Sequence, residues 1–518
     1  MKFLFEITNS GLKLQDQFSL HFDKITEQSH VISVITKDKD CIEYLKNNKL
    51  YNKVYEHRYF NYLKDLKNYK INYDILNSFE NNLENTSIWN MISSDRGMGR
   101  VFLKDFIGYD YNNPKNSYEE YLKFFSFKLE EIIKIFDEFK PDIFVPAFCI
   151  SNLDTLIIFN LCKIRNIEYA NYSSVRIQNY FTFSNDLMKS TPVIEQRYDQ
   201  NIKNYKPNFF KDGENLYDDL MTEIEAPKYF DRHSLRVQKQ DLSSIIKKIK
   251  YFFSVLKLLF VGKNRTFFKS LKKFFELRFI SCTLAELFYH TLQKISMTNN
   301  KFDNVDKNEN YIYYTLHSAP EYSVNMQGNY WSDQIYNLET IAKSIPGTWK
   351  VYTKEHPATL SDRTRPINFF KKITRIPNVK ILNTYEDMHE IIINAKVVIV
   401  VVGTAGLEAI LRGKPSIAFT NNTWDMMQLS NIVERVENLP SLIKRTIREN
   451  QDLTNDERKK RLVCYFDSII NEGFWLSHPG AVTWLEDTNS ETENTSGKEL
   501  AKGLDKYLKS LKEIYEKK

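Results

Sequence analysis

Residues 396–419 constrain the fold of this chain more than any other stretch. Val397 begins an uninterrupted run of six β-branched residues, which is typical of a strand buried on both faces of a parallel sheet. Gly403 and Gly406 follow, and a short helix is then predicted from Leu407 to Leu411. A strand, a glycine turn and a helix N-terminus attract an anion, because free N–H groups and the helix dipole point at it. Any α/β protein has such turns, so a purely structural turn remains the alternative.

The N-terminal part of the chain alternates strand-like and helix-like patterns. Residues 1–231 contain apolar runs at 2–7, 30–36 and 142–148, and helical periodicity is clearest at 118–139. This succession predicts βαβ units and a parallel sheet, with ligands beyond the carboxyl ends of the strands. We therefore expect one Rossmann-like domain here.

The C-terminal part repeats this organisation. Residues 310–485 contain strand-like runs at 311–316, 349–353 and 378–381 ahead of the β-branched run. Residues 486–518 are predicted to form a polar loop and a final amphipathic helix. The chain is therefore predicted to be an α/β protein with two Rossmann-like domains that face a cleft.

Between the two domains, residues 232–309 form a predicted basic, aromatic helical segment and linker. Within it, residues 247–279 place lysine and arginine beside bulky apolar side chains at helical spacing. This pattern suits a helix on an anionic membrane surface. The alternative is a helical insertion that packs its aromatic rings on the protein. A nucleic-acid partner is not predicted, because large aliphatic residues interrupt the basic ones and no known nucleic-acid module is present.

Composition narrows the class of protein further. The net charge of +6 is mild for 518 residues, so it implies no bulk affinity for polyanions. The five cysteines are scattered without C-x-x-C spacing, which argues against a zinc site or disulfide framework and fits a reducing cytoplasm. The N-terminus has no sustained apolar region, and no run reaches the roughly 18 apolar residues of a membrane span. We expect a cytoplasmic protein that contacts the inner face of the membrane, if at all, through residues 247–279.

The residue types in the C-terminal domain favour phosphate binding. No G-x-G-x-x-G follows the first strand and no G-x-x-x-x-G-K-[ST] occurs, which argues against a dinucleotide cofactor or a P-loop. A cleft that handles phosphate without metal needs cationic and N–H donors. Lys354, His356, Thr404 and the amides after Gly403 are of the right type. No metal ligand and no cofactor are predicted.

Four motifs in this domain resemble a known family. They are 314–321 (Y-T-L-H-S-A-P-E), 332–334 (S-D-Q), 352–357 (Y-T-K-E-H-P), and 403–409 (G-T-A-G-L-E-A) with 413–415 (G-K-P). In this order they resemble bacterial capsule and surface-polysaccharide biosynthesis proteins. That group is similar to the Kdo transferases of capsule assembly and, more distantly, to sialyltransferases with a His-Pro motif. The resemblance covers roughly residues 310–420, and the N-terminal half is similar only through the loop at Asp95 and the general layout.

The resemblance implies a GT-B glycosyltransferase, with the donor mainly in the C-terminal domain and the acceptor mainly in the N-terminal one. His356 would contact the donor phosphate or act as a general acid, and Thr404 with the adjacent amides would hold the same phosphate. Glu408 would accept hydrogen bonds from the ribose hydroxyls. The donor-binding residues implied in this way are Lys354, Pro357, Gly403, Thr404, Ala405, Gly406, Glu408, Glu321 and Gln334.

An inverting transfer would also need a base that deprotonates the acceptor hydroxyl. Asp95 is the candidate, because a carboxylate from the facing domain could reach across the cleft; Asp154 and Glu321 are alternatives. The residue types around Asp95 by themselves favour a solvated loop with a local ion pair over a catalytic or substrate-binding role.

The expected partners are a nucleotide-sugar donor and a glycan or lipid-linked glycan acceptor. The kinship of the motifs favours a CMP-linked acidic sugar such as Kdo or a nonulosonic acid, and leaves UDP- and GDP-sugars open. Two other functions remain: a CDP-glycerol-type glycerophosphotransferase, which also uses a GT-B-like frame, and a non-catalytic capsule assembly factor.

Overall fold

The computed structural model describes most of both predicted domains. The described residues are 1–7, 12–27, 30–36, 39–56, 68–95, 117–147, 153–187, 192–225, 302–317, 323–356, 365, 368–384, 386–478 and 490–516. The segment 247–279, Glu321 and Pro357 therefore lie outside the described residues, together with the predictions made for them.

A parallel sheet forms the centre of the N-terminal unit. Its strands are β1 (Lys2–Ile7), β2 (Val31–Thr36), β3 (Lys53–Glu56), β4 (Ile143–Val145) and β5 (Glu168–Tyr169). They are hydrogen-bonded in the order β3-β2-β1-β4-β5, and every pair is parallel. The described helices of this region are α1 (Leu12–Thr26), α2 (Lys39–Asn47), α3 (Tyr73–Glu80), α4 (Ile88–Ser94), α5 (Tyr118–Phe139), α6 (Leu153–Ile164), α7 (Pro192–Lys203) and α8 (Lys211–Glu225).

A second parallel sheet forms the C-terminal unit. Its strands are β8 (Tyr311–Thr315), β9 (Lys350–Lys354), β10 (Val379–Leu382), β11 (Val397–Val400), β12 (Ser416–Ala418) and β13 (Ser430–Ile432). The helices between and after them are α9 (Gln334–Ser344), α10 (Phe369–Ile373), α11 (Met388–Asn394), α12 (Thr404–Leu411) and α13 (Leu439–Asp452). The predicted α/β class with two Rossmann-like sheets is confirmed.

The order of the C-terminal strands fixes where a ligand can bind. The sheet runs β10-β9-β8-β11-β12-β13, which is the 3-2-1-4-5-6 order of a Rossmann fold. The order reverses between β8 and β11, and the connections leave these two strands toward opposite faces of the sheet. A crevice therefore opens beyond their carboxyl ends.

Burial explains why the β-branched run forms the centre of this sheet. Val397, Val398, Ile399 and Val400 are all 0% exposed, because β11 has a hydrogen-bonded neighbour on each side and helices on both faces. At roughly 25 cal/mol per Å² of apolar surface, each such side chain contributes on the order of 2 kcal/mol to folding. The strand is four residues long, and Val401 and Val402 connect it to the glycine motif.

The chain returns to the N-terminal unit from Asn455 onward. Helix α14 (Asn455–Glu472) packs against α7 and α8, and α15 (Ser490–Glu516) packs along α1. A third, antiparallel sheet joins β14 (Phe474–Trp475) to β7 (Tyr180–Ser184), which pairs in turn with β6 (Asn171–Ser174). One hydrophobic core consequently contains side chains from β1, α14 and α15.

A short segment after β8 also contacts the N-terminal unit. The π-helical turn Ser323–Gln327 and the 3₁₀ turn Asn329–Trp331 follow β8. Asn329 Nδ2 donates to Asn90 Oδ1 (2.9 Å) and to Ser94 Oγ in α4, and Gln327 Nε2 donates to the Leu187 carbonyl (3.1 Å). These bonds bring the end of α4 toward the C-terminal unit. In the described ranges, no helix is both long and apolar enough to cross a membrane.

Candidate functional site

The crevice between β8 and β11 is lined by a histidine and a glycine. His317 follows β8 by two residues, and Gly403 lies just beyond β11. A Cβ atom added to Gly403 would lie 2.8 Å from His317 Cε1 and 3.5 Å from its Nδ1. Glycine is required at 403 by this close approach, since its φ of −176° is an extended conformation open to any residue.

Helix α12 begins in this crevice without a side-chain cap. Gly403 is its N-cap residue and supplies no capping side chain. Asp333 and Asp387, by contrast, cap α9 and α11 by accepting from backbone amides at 2.9–3.1 Å. Thr404, the first residue of α12, is exposed, whereas Ala405 and Gly406 are buried. The N-terminus of α12 therefore presents amides and the positive end of the helix dipole to the crevice.

His317 is a neutral imidazole whose tautomer is fixed. Its side chain is nearly buried (7% exposed), and its Nε2 lies 3.2 Å from the backbone nitrogen of Val401. Burial, with further contributions from His356 and Arg365, lowers the pKa of His317 to about 3. Nε2 must accept the Val401 N–H, so the ring proton is on Nδ1.

The backbone of His317 is held by a glutamine and an arginine. Gln334 accepts the His317 N–H through Oε1 (2.7 Å) and donates to its carbonyl through Nε2 (3.1 Å). Arg365 Nη2 donates to the same carbonyl at 2.6 Å. Gln334, which was predicted to line the donor pocket, therefore has its amide engaged in positioning His317.

A buried ion pair connects this histidine to the next strand. Glu355 accepts two hydrogen bonds from Arg365, at 2.7 and 2.8 Å, and both side chains are at most 4% exposed. Glu355 Oε1 also accepts the backbone N–H of His356 at 2.8 Å. A bidentate pair of this kind fixes geometry as well as charge. The ends of β8 and β9 are thus locked together.

His356 projects from the end of β9 and is exposed. Strands β9 and β11 are separated by β8, so His356 and Thr404 belong to strands about 10 Å apart at the usual spacing of about 4.8 Å. The two residues predicted to hold one phosphate are therefore not adjacent. His317 lies at the end of the strand between them.

Glu408, Arg412 and Lys354 form a second charged cluster around α12. Glu408 is 8% exposed, its Oε2 accepts no hydrogen bond from any described residue, and Arg412 Nη1 is 3.9 Å away. Burial raises the pKa of Glu408 to about 7, against the opposing charges of Arg412 and Lys354. Lys354 donates to the Glu386 carbonyl at 2.7 Å, and burial lowers its pKa to about 8. Lys354 is therefore directed at this cluster.

Asp95 lies in the N-terminal unit, at the end of α4. It is 1% exposed, and its Oδ2 accepts the backbone N–H of Leu153, the first residue of α6, at 2.6 Å. The alternative base, Asp154, forms a buried ion pair with Lys128. The structure thus gives Asp95 a role at the start of α6, close to the bridge formed by Ser94 and Asn329.

A comparison with known proteins identifies a family to which this chain is similar. The model of the family described as capsule polysaccharide biosynthesis protein matches residues 205–438. The resemblance to capsule biosynthesis proteins is confirmed. The match contains the whole C-terminal sheet and both glycines of the α12 turn. No protein with a curated description matches the sequence.

Solved structures show only distant likenesses. The β-Kdo 2,7 transferase KpsC of Thermosulfurimonas dismutans is 10% identical, with a TM-score of 0.29, over 72% of this chain and 89% of that one. A glycosyltransferase from Rickettsia africae ESF-5 is 11% identical, with a TM-score of 0.27, over 99% and 98%. The UDP-GlcNAc 2-epimerase of Neisseria meningitidis, bound to UDP-GlcNAc, is 11% identical, with a TM-score of 0.25, over 89% and 94%. TM-scores this low carry no argument about substrate or chemistry.

Three residues of the crevice were not predicted as site residues from the sequence: His317, Glu355 and Arg365. His317 and Glu355 lie within motifs of the capsule biosynthesis family, at strand ends, and that position was the available signal. Arg365 lies in a polar stretch without periodicity and gave none. No group of three or more metal-ligating side chains occurs in the part of the chain that the structure describes.

Proposed function

We propose that this protein is a glycosyltransferase that binds the phosphate of a nucleotide-sugar donor at the N-terminus of α12. The observation that carries the proposal is the uncapped start of this helix at the reversal point of the sheet, with His317 beside it. Amides and a helix dipole directed into a crevice are typical of phosphate sites in such sheets. The match to the capsule biosynthesis family supports a sugar donor.

Within this proposal, several predicted donor residues have a definite task. The amides of Thr404 and Ala405 receive the phosphate, whereas the Gly406 N–H donates to the Gly403 carbonyl at 3.1 Å. The exposed His356 reaches the phosphate from the end of β9 as a ligand or general acid. Glu408 accepts the ribose hydroxyls through its unpartnered Oε2, since hydrogen-bonded sugar hydroxyls would satisfy a buried carboxylate. Lys354 acts through Glu408, by favouring its ionised form.

We favour CMP as the nucleotide, with an acidic sugar such as Kdo or a nonulosonic acid. A thermal-shift screen of CMP, UDP, GDP and CDP tests this choice. A nucleotide that binds only the folded state stabilises it by roughly 2.7 kcal/mol at 100 times its Kd, so CMP should raise Tm by several degrees. Protection by UDP or GDP instead of CMP would contradict the choice of donor alone. If no nucleotide protects the protein, the proposed function is wrong.

The reaction product distinguishes glycosyl transfer from transfer of glycerol phosphate. We expect a product whose mass increases by one sugar residue and contains no added phosphorus. A phosphodiester product, together with stronger protection by CDP than by CMP, would instead indicate a glycerophosphotransferase. An assembly factor without activity is contradicted if the protein releases CMP from a CMP-sugar in the absence of acceptor.

We further propose that the transfer does not require a metal ion. The cationic and N–H donors of the crevice would neutralise the phosphate, so 5 mM EDTA should leave the rate of CMP release unchanged within about twofold. A loss of activity that is restored by added Mg²⁺ or Mn²⁺ would contradict this. The variant Glu339→Gln, which changes an exposed residue of α9, is the control in the same assay.

We propose Asp95 as the base that deprotonates the acceptor hydroxyl. Asp95→Asn tests it, because asparagine keeps an oxygen that can accept the Leu153 N–H but loses the basicity. If Asp95 is the base, turnover should fall by roughly 100-fold or more while Tm and nucleotide affinity remain unchanged. Unchanged turnover would mean that Asp95 only holds the start of α6. Asp154 would then be the next candidate for the base.

A further inference from the structure

His317 lies at the end of β8, the strand between those that carry the two predicted phosphate contacts, His356 and Thr404. We propose that His317 is a third ligand of the donor phosphate, which it binds by donating its Nδ1–H to a phosphate oxygen. The proposal rests on the proposed function, because it assumes that a nucleotide phosphate enters the crevice at α12.

The ring of His317 carries its proton on Nδ1. Nε2 accepts the N–H of Val401 at 3.2 Å, so a neutral ring carries its hydrogen on Nδ1. The side chains of Gln334 and Arg365 form hydrogen bonds with the main chain of His317 and hold it in place. The orientation of the Nδ1–H is therefore set before any ligand arrives, and binding pays little to arrange it.

The Nδ1–H of His317 is open to the crevice. None of the residues that the structure describes forms a hydrogen bond with His317 Nδ1, and Nδ1 is not one of the fully buried polar atoms without a partner, although the residue as a whole is only 7% exposed. An acceptor that enters the crevice can therefore reach this hydrogen, and a hydrogen bond to a charged acceptor is stronger than one to a neutral acceptor.

His317 Nδ1 lies close to both predicted phosphate contacts. The ring edge that contains Cε1 and Nδ1 faces Gly403, at 2.8 and 3.5 Å from the Cβ that glycine lacks. His317 is also close enough to His356 for the charge of His356 to lower its pKa. A phosphate held by both the α12 amides and His356 must pass over the end of β8, where His317 lies.

Two substitutions separate the two ring nitrogens. His317→Gln places an amide near the position of Nε2, so it keeps a partner for Val401 but lacks a donor near Nδ1. His317→Asn places its amide near Nδ1 and leaves the Val401 N–H unpaired. His21→Gln, in α1 of the N-terminal unit, is the control for the chemistry of the substitution.

The measurement is the ratio of the cytidine Kd to the CMP Kd, obtained by isothermal titration calorimetry for each variant. This ratio reports the contribution of the phosphate and is insensitive to a general loss of folded protein. We expect His317→Gln to lower the ratio by roughly ten- to a hundredfold, as for one lost hydrogen bond to a charged group. His317→Asn and His21→Gln should keep the ratio within about threefold of wild type, and His317→Asn should lower Tm.

Three results would overturn the proposal. A ratio for His317→Gln within about threefold of wild type would mean that Nδ1 does not contact the phosphate. Equal losses of cytidine and CMP affinity would mean that His317 only supports the shape of the crevice. If the wild-type protein binds neither CMP nor UMP nor GMP more tightly than the matching nucleoside, the proposed function fails first, and this inference fails with it.

Discussion

His356 and His317 end neighbouring strands, yet their burial differs completely. His356 is exposed, whereas His317 is nearly buried and neutral at physiological pH. An exposed imidazole can be protonated and can donate a proton or a hydrogen bond to a departing phosphate. A neutral buried imidazole can only donate its fixed hydrogen in a hydrogen bond. The two residues therefore suit different tasks at one phosphate.

The exposure of His356 leads to a prediction about turnover. His356→Ala should reduce CMP release from a CMP-sugar by roughly tenfold or more, because a contact to the departing phosphate is lost. Tm should change little, since surface substitutions usually alter stability by less than about 0.5 kcal/mol. Steady-state kinetics with a matched thermal melt checks both expectations. Equal rates for His356→Ala and wild type would remove His356 from the reaction.

Glu408 predicts a defined dependence of stability on pH. Its pKa rises from 4.5 to about 7 through burial, so between these values the folded protein retains a proton that the unfolded chain has lost. Stability must therefore fall as the pH increases through this window. From pH 5 to pH 7.5, wild type should lose about 2 kcal/mol relative to Glu408→Gln, as measured by urea unfolding.

Glu339→Gln is the matched control for Glu408, because Glu339 is exposed on α9. The difference in the free energy of unfolding between Glu339→Gln and wild type should be the same at pH 5 and pH 7.5. If the difference in the free energy of unfolding between Glu408→Gln and wild type is also the same at both pH values, the pKa of Glu408 is not raised as its burial requires. The range stops at pH 7.5 because Lys354, with a pKa lowered to about 8 by burial, begins to titrate above it.

At the scale of elements, α12 depends on its close approach to β8. Gly403→Ala would place a Cβ 2.8 Å from the ring of His317, so either the ring or the helix must shift. We expect a loss of roughly 1–3 kcal/mol in stability and weaker binding of CMP. Gly347→Ala is the control, because an added Cβ there meets no atom within 4 Å. Equal Tm and CMP affinity for both variants would contradict the described packing.

Local patterns predicted some elements well and others only in part. Helix α5 matches the predicted 118–139 in full, because its apolar periodicity and its Ser117–Glu120 capping box mark both the face and the start. Helix α12 was predicted to begin near Leu407, yet it begins at Thr404, because Gly403 acts as N-cap and Ala405 and Gly406 fit within the first turn. Glycine signals a turn more readily than it signals which residue begins the helix.

The candidate site was only partly accessible to sequence reasoning. The glycine turn and the His-Pro pair stand out as local motifs, and the structure places their strands in one sheet. The positioning of His317 by Gln334 and Arg365 depends on strand order and on contacts 17 and 48 residues apart. No local pattern encodes such contacts, so these residues could not be given their tasks in advance.

At the scale of the whole molecule, α15 holds the N-terminal unit together from the other end of the chain. A Cβ added to Gly497 would lie 2.6 Å from Gln17 Cβ and 2.8 Å from the backbone nitrogen of Phe18, so the two helices touch at this residue. Gly497→Ala should destabilise the protein by roughly 1–3 kcal/mol, measured by thermal and urea unfolding. Gly347→Ala serves again as the control, and a Gly497→Ala variant as stable as that control would contradict the packing of α15 on α1.

The basic segment predicts a second property of the whole molecule. If residues 247–279 lie on an anionic surface, the protein should co-sediment with phosphatidylglycerol vesicles, but not with phosphatidylcholine vesicles, and should dissociate in high salt. Replacement of Lys247, Lys248, Lys272 and Lys273 by glutamine should weaken binding strongly, at about 1 kcal/mol per lysine, while CMP affinity is retained. Binding that is independent of lipid charge would contradict the electrostatic interpretation.

The return of the chain to its starting point has a consequence for biosynthesis. The core that contains Phe3 and Phe18 also contains Leu500, Leu504 and Ile514. This core, which includes alternate residues of β1, is therefore complete only after residues 500–514 have been synthesised, whereas the core around Leu4 and Phe144 draws almost entirely on residues before 188. During translation, one face of the first sheet keeps its apolar surface uncovered, and exposed apolar surface of this kind favours association with chaperones.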